Sequence, residues 1–281
     1  VRSRGLGDVY KRQVLGCIHD VVVVWRDFYA GGYVRAKISQ TAYFLSEFKV
    51  VVWTRLDFRW ISVFRENGDG GIHGDELTGP SACTHLLSNA FTDIGNPLDP
   101  KQMAGTLRIV PVVNLPGYRA KSRYFPDGRD LNRNFPGNFK TTTTRRVAAQ
   151  VWKYLLKDSD AIIDLHSAAK GRSNMPQLRA DLAHAGSNIL AKAFGIEIIL
   201  DSKPPSGSLR KAAVENDIPS ITYEGGGANL LDNESVKVAI HGVTNILRSL
   251  RMIPGKPNRP RFRMLASGSR WLRASEGGLL D

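Results

Sequence analysis

The 281-residue sequence predicts an α/β domain in which helices cover both faces of a β-sheet. From residue 70 to residue 250, strand-like and helix-like segments alternate, and reactive side chains follow several of the strands. The hydrophobic fraction of 42% is enough for a sizeable core, and no apolar run approaches the ~20 residues that span a bilayer. The two cysteines, Cys17 and Cys83, have neither disulfide-scaffold nor metal-site spacing.

The predicted elements follow in a regular order. The first half contains a helix over 77–91, a strand over 107–113, a long loop over 115–139, a helix that Thr143 or Thr144 caps and that runs to 157, and a strand over 161–165. The second half contains a helix over 181–194, a strand over 196–200, a helix over 209–216, a strand over 220–223 and a helix over 235–252. Strand-like runs at 21–25 and 50–53 precede this region.

The net charge of +13 does not indicate a nucleic-acid partner. Residues 1–13 carry +3 and residues 251–281 carry +5, and the long middle has neither a basic block nor a recognition-helix motif. Basic flanks are typical of solvated tails. We therefore expect no nucleic-acid and no membrane partner, and a cytoplasmic protein.

Three segments bring metal-ligand chemistry to the ends of predicted strands, where α/β sheets collect their reactive groups. His73 and Glu76 lie three residues apart at a helix start, and His166 follows the strand over 161–165. Two histidines and one glutamate form the ligand set of a catalytic zinc with an open position for water. Glu224, at the end of the strand over 220–223, would then accept the proton of that water. Taken alone, His166 also fits a hydrogen-bonded structural histidine, and Glu224 fits the start of a glycine turn.

Four motifs in order resemble the succinylglutamate desuccinylase/aspartoacylase family, a branch of the zinc carboxypeptidase superfamily. They are Gly-Ile-His-Gly-Asp-Glu at 71–76, Arg-Asp-Leu-Asn-Arg-Asn-Phe-Pro-Gly at 129–137, Asp-Leu-His-Ser at 164–167 and Tyr-Glu-Gly-Gly at 223–226. The resemblance covers residues 70–255, and the short separation of Glu76 from His166 is typical of the deacylase branch. It implies a mixed, mostly parallel sheet flanked by helices, as in zinc carboxypeptidases.

The resemblance also implies a role for each matched residue. These are His73, Glu76 and His166 as ligands of one Zn²⁺ per chain, Glu224 as general base and acid, Arg123 as the stabiliser of the tetrahedral oxyanion, Asn132 and Arg133 as the pair that binds a substrate carboxylate, and Asp130 as the aspartate that orients the first zinc histidine.

The expected domain organisation has four parts. Residues 1–13 match a translated library-adaptor end and are set aside, and residues 14–69 are an N-terminal part of the catalytic domain. Residues 70–253 form the zinc hydrolase domain itself. Residues 254–281 are a linker, Pro-rich over 254–260, and the truncated start of a small β domain.

The expected function is a zinc-dependent hydrolase that cleaves the amide bond of small, carboxylate-bearing N-acyl amino acids or similar acyl amides. Two alternatives stay open from the sequence. A metallocarboxypeptidase would use the same pair, Asn132 and Arg133, for the carboxylate of a peptide C-terminus, and a non-catalytic relative would keep the zinc site alone. The preferred acyl group, the amino acid and the oligomeric state are not predicted.

Overall fold

The computed structural model describes residues 22–24, 60–64, 72–87, 98, 103–110 and 113–269. In this part of the chain, eight strands form one sheet: β1 (Val22–Val24), β2 (Trp60–Phe64), β3 (Thr106–Val110), β4 (Ala161–His166), β5 (Ser173–Ala180), β6 (Ile198–Asp201), β7 (Ser220–Gly227) and β8 (Met264–Ala266). Their spatial order is β1-β3-β2-β4-β7-β5-β6-β8. The β1–β3 and β5–β7 pairs are antiparallel and the other neighbouring pairs are parallel. The predicted mixed, mostly parallel sheet is confirmed.

The helices alternate with these strands largely as predicted, except that one short helix, Leu115–Arg119, begins the segment predicted as a loop over 115–139. They are α1 (Thr78–Leu87), α2 (Leu115–Arg119), α3 (Thr143–Val151), α4 (Ala185–Phe194), α5 (Leu209–Glu215) and α6 (Asn233–Ser249). A 3₁₀ turn spans Leu131–Arg133, and a π-helical segment, Trp152–Leu156, continues α3. Among the described residues, none of the helices combines the length and the apolar character needed to cross a bilayer.

Helices cover both faces of the sheet, as the sequence predicts. Ile163 and Leu165 of β4 belong to a core cluster that includes residues of α1, α4 and α6. Ile162 belongs to a second cluster that includes residues of α3 and α5. Because side chains alternate along a strand, Asp164 and His166 share the face of Ile162. The polar end of β4 therefore lies on the α3–α5 side of the sheet.

Some element boundaries differ from the predicted ones. The side chain of Thr142, rather than Thr143 or Thr144, accepts the capping hydrogen bond of α3, from the backbone N–H of Arg145. The Asp127 carboxylate accepts a second one from the backbone N–H of Thr144 (3.1 Å). A loop residue thus helps to start the helix, which local sequence does not reveal.

Three strands are absent from the sequence prediction. β2 lies between β3 and β4, β5 lies between β7 and β6, and β8 extends the sheet beyond β6. The Pro-rich residues 254–260, predicted as a linker, therefore lead back to the edge of the same sheet. The predicted run at 21–25 contains β1, whereas the run at 50–53, the adaptor-like residues 1–13 and residues 270–281 lie outside the described residues.

Candidate active site

The site begins where β4 and β7 lie side by side. The two strands are parallel, and their register places His166 next to Glu224. Both residues follow apolar strand interiors, so the sheet carries them to one edge. The order of the strands thus brings together two residues that are 58 positions apart in the sequence.

A tight turn before α1 brings His73 and Glu76 to the same edge. Glu76 forms an isolated antiparallel bridge with Ala228, directly after β7. The turn also packs against α2 so closely that a Cβ on Gly74 would lie 2.1 Å from the backbone carbonyl carbon of Gly117. Only glycine permits this approach, which holds the turn between α2 and the end of β7.

The three predicted metal ligands converge. Their ligand atoms all lie within 4.8 Å of one another, and the three residues are buried. Glu76 lies between the two imidazoles, with Oε1 2.6 Å from Nδ1 of His73 and Oε2 2.8 Å from Nδ1 of His166. Oε2 also accepts a hydrogen bond from the backbone N–H of Ser167 (3.1 Å). The cluster has a carboxylate at its centre.

The remaining nitrogen of each imidazole lies beside another carboxylate. Nε2 of His73 lies 3.0 Å from Oδ1 of Asp130, and Nε2 of His166 lies 2.8 Å from Oδ2 of Asp164. A neutral imidazole has one N–H, so a ring that donates through Nε2 presents a lone pair at Nδ1. That lone pair and a Glu76 oxygen repel each other unless a proton or a metal cation lies between them.

The electrostatics of the cluster favour positive charge at its centre. Burial lowers the pKa of His166, but the charges of Asp164 and Glu76 outweigh it and raise the pKa well above its ordinary value. The pKa of His73 is also raised, because Glu76 and Asp130 outweigh burial. A field that favours a proton also favours a divalent cation. Two imidazole nitrogens and a carboxylate are the donor set of a catalytic zinc, and the three residues fit that ion.

Asp130 joins the ligand cluster to the long loop. Its Oδ1 also accepts a hydrogen bond from the backbone N–H of Asn132 (2.8 Å). Its Oδ2 accepts two from Arg123, through Nε (3.2 Å) and Nη2 (2.9 Å). Burial raises the pKa of Asp130, but His73 and Arg123 outweigh it and hold the pKa well below its ordinary value. Asp130 thus meets His73 on the nitrogen remote from Glu76, where an orienting aspartate is needed.

Arg123 bridges two carboxylates of the site. Besides Asp130, it contacts Oε1 of Glu76 through Nη1 (3.3 Å). These contacts use three of its five N–H groups and leave two for a substrate oxygen. Its side chain is 23% exposed and lines the cavity.

Asn132 and Arg133 lie in the 3₁₀ turn that Asp130 caps. The side-chain oxygen of Asn132 accepts a hydrogen bond from the backbone N–H of Leu209, at the start of α5 (2.8 Å). This leaves its NH₂ group for a ligand. Arg133 is exposed, and its Nη1 donates to the backbone oxygen of Asn132 (2.7 Å).

Glu224 lies within β7 and not at its end, which corrects the sequence prediction. The strand continues through the three glycines to Gly227 because β5 pairs with it there. The side chain of Glu224 is 14% exposed. Burial raises its pKa, while the charges of His166 and Arg179 oppose that increase.

One cavity of about 490 Å³ joins these residues. Of the predicted site residues, it is lined by His73, Glu76, Arg123, Asn132, Arg133, His166 and Glu224, and Asp130 lies behind them. Its lining also includes residues that the sequence did not single out, among them Lys170, Arg172, Asn174, Arg179 and Arg210.

The sequence contains only weak indications of the site residues that the prediction missed. The alternation of side chains along a strand indicates that Asp164 shares the face of His166. Its contact with Nε2 of His166 is visible only in the folded structure. Asn174 and Arg179 lie on β5, where Pro176 and several polar residues obscure the strand pattern. Arg210 falls in a helix with no motif of its own.

Comparisons with known proteins match the site-bearing region. Residues 69–250 match the model of the succinylglutamate desuccinylase/aspartoacylase catalytic domain. The chain is 30% identical over 224 residues to the N-alpha-acetyl-L-2,4-diaminobutyric acid deacetylase of Halomonas elongata. The aligned region covers 75% of this chain and 63% of that protein.

Two solved structures share the fold. The succinylglutamate desuccinylase/aspartoacylase of Rhodobacter sphaeroides is 28% identical, with a TM-score of 0.59 over 72% of this chain and 58% of that one. The product-bound ectoine utilization protein EutE (DoeB) of Ruegeria pomeroyi is 27% identical, with a TM-score of 0.63 over 73% of this chain and 62% of that one. The chain therefore spans less than two thirds of the length of each of these relatives. With its family model, fold and motif order in agreement, the chain belongs to the succinylglutamate desuccinylase/aspartoacylase family.

Proposed function

We propose that this chain is the catalytic domain of a zinc-dependent hydrolase that cleaves the amide bond of small N-acyl amino acids. The observation that carries the proposal is the convergence of His73, Glu76 and His166 in one cavity with Glu224. A buried donor set for zinc beside an unligated carboxylate supports hydrolysis rather than simple metal storage.

The reaction adds water across the amide bond. His73, Glu76 and His166 would hold the zinc ion, which when bound would supply Lewis-acid polarisation of the acyl carbonyl and of water. Glu224 accepts a proton as the water oxygen bonds to the acyl carbon. It then returns that proton to the amine nitrogen as the carbon–nitrogen bond breaks, which leaves a carboxylic acid and a free amine; transfer of the acid proton to the amine then gives a carboxylate and an ammonium group. Arg123, with two N–H groups left, stabilises the negative charge on the former carbonyl oxygen.

The cavity favours a substrate that carries a carboxylate. Its lining has six cationic side chains, namely Arg123, Arg133, Lys170, Arg172, Arg179 and Arg210, against the carboxylates of Glu76 and Glu224. The exposed guanidinium of Arg133 and the NH₂ group of Asn132 are suited to the two oxygens of a carboxylate. These two residues would anchor the substrate without taking part in proton transfer.

The relatives indicate which substrates to test first. The Halomonas elongata protein is named for the deacetylation of N-alpha-acetyl-L-2,4-diaminobutyric acid, and the family is named for succinylglutamate desuccinylase and aspartoacylase. A panel should therefore contain N-acetyl-2,4-diaminobutyrate, N-acetylaspartate, N-succinylglutamate and short peptides. Turnover of peptides alone would favour the carboxypeptidase alternative.

Glu224→Gln tests the proposal most directly. Glutamine has nearly the same shape but cannot take up the proton, so the variant should keep its zinc and its thermal midpoint. Its turnover number on the best substrate of the panel should fall about 10²- to 10⁴-fold. Turnover near the wild-type rate in a folded, zinc-loaded variant would overturn the mechanism.

A further inference from the structure

Strand β5 meets the strand of Glu224 with an irregular register. Asn174 lies opposite Gly226, and Gln177 lies opposite Glu224. Three steps along β5 therefore correspond to two steps along β7, which is the signature of a β-bulge. Pro176, which has no N–H to donate to a neighbouring strand, lies inside the irregular segment.

The bulge decides which side chain of β5 reaches Glu224. Side chains alternate along a strand, so in a regular ladder Met175 would lie opposite Gly226 and share the face of Glu224. The extra residue shifts Asn174 into that place, and Met175 is 65% exposed. Arg179, opposite Thr222, lies on the same face two residues beyond Gln177.

Asn174 and Arg179 lie beside different oxygens of Glu224, and at different distances. Nδ2 of Asn174 donates a hydrogen bond to Oε2 (2.7 Å). Nη1 of Arg179 lies 3.7 Å from Oε1, which is beyond hydrogen-bond distance. Among the described residues, the buried Nε of Arg179 has no hydrogen-bond partner either. Oε2 is thus held, while Oε1 keeps its lone pairs beside a positive charge.

We propose that Asn174 is a positioning residue for Glu224: its amide fixes the plane of the carboxylate through Oε2 and leaves Oε1 to exchange the proton. The inference rests on the proposed role of Glu224 as general base. It assigns to the bulged strand β5 a function in catalysis, although Asn174 acts only through Glu224.

An amide suits this position better than an acid or an alkyl side chain. The hydrogen bond from Asn174 restrains rotation of the carboxylate, so that Oε1 stays aimed at one point in the cavity. A carboxylate at position 174 would instead compete for the proton that Glu224 must exchange.

Asn174 is tested on the full chain with zinc bound. Asn174→Ala should lower the turnover number about 10- to 100-fold, since a hydrogen bond to a charged group is lost, and leave the Michaelis constant and the zinc content unchanged. Asn174→Asp is nearly isosteric and guards against a folding defect, yet it should lose at least as much rate. Gln177→Ala removes an amide from the same strand without a bond to Glu224, and it should stay within about twofold of wild type.

The outcomes separate this inference from the proposed function. If Glu224→Gln is inactive but Asn174→Ala matches Gln177→Ala in rate, the positioning role is wrong and the hydrolase stands. If Glu224→Gln is itself active, the proposed function fails first. Loss of zinc in Asn174→Ala would also overturn the inference, because the effect would then come from the ligand cluster.

Discussion

The ligand cluster of His73, Glu76 and His166 and the cationic wall of Arg133 and Arg179 line the same cavity but are held in different ways. In the cluster, each imidazole nitrogen lies within 3.0 Å of a carboxylate oxygen. In the wall, Arg133 is exposed and Arg179 is 40% exposed, with few contacts to hold them. We infer that these contacts hold the side chains of the cluster in place before any ligand binds, whereas the less constrained side chains of the wall can adjust to a substrate. Changes in the cluster should therefore alter metal binding, and changes in the wall should alter substrate binding.

His166→Ala should have the largest effect of the changes below. It removes one of three ligands and leaves Glu76 with one imidazole partner, so the variant should lose most of its roughly one equivalent of zinc and nearly all turnover. Metal analysis of purified protein checks the prediction. A variant that keeps its full zinc content would show that the ion binds elsewhere.

Arg123→Lys probes the boundary between the two regions. A lysine keeps the charge but cannot bridge Asp130 and Glu76 while it also donates to a substrate oxygen. Because the partner charge develops only in the transition state, the turnover number should fall about 10²- to 10³-fold. Steady-state kinetics at saturating substrate, with zinc content as the control, measure the effect. An increase in the Michaelis constant alone would mean that Arg123 binds the substrate, as the wall residues do, and does not stabilise the transition state.

Asp130→Asn tests the rigidity of the cluster. The amide can still accept from the backbone of Asn132, but it loses the negative charge beside His73 and Arg123. Zinc affinity should fall about 10- to 100-fold. Competition with a chelator of known affinity gives the value, and Asp127→Asn is the matched control because that loop carboxylate contacts the start of α3 instead. Equal zinc affinities in the two variants would mean that Asp130 does not support the metal.

Arg133→Lys should have the smallest effect, and it should change substrate binding and not the chemical step. The variant keeps the charge of the wall but loses the bidentate hydrogen bonds to a carboxylate, so the Michaelis constant should rise about tenfold with little change in turnover. The same variant should discriminate less between substrates with and without a carboxylate. A fall in the turnover number alone would place Arg133 with the catalytic groups.

The sequence predicted the ligand cluster and Arg133 of the wall but not Arg179, and the reason is physical. His73 and Glu76 lie three residues apart, and Asp130, Asn132 and Arg133 belong to one motif, so the placement within each group is largely local. The match to a known family then assigned His166 and Glu224 to the same site. The alternation of strands and helices likewise predicted a sheet covered on both faces.

The positions of Arg179 and of strand β5, which supports Glu224, were set by tertiary contacts. β5 joins β7 through an antiparallel pairing and a bulge, and a one-residue change of register would turn Met175 toward Glu224 in place of Asn174. The extension of β7 through Gly227 has the same cause, since glycines suggest a turn until a neighbouring strand pairs with them. By itself the sequence determined which residue types make the site and in what order. Only the packing of distant strands decided which side chains stand next to Glu224, because register is set by long-range pairing and not by local preference.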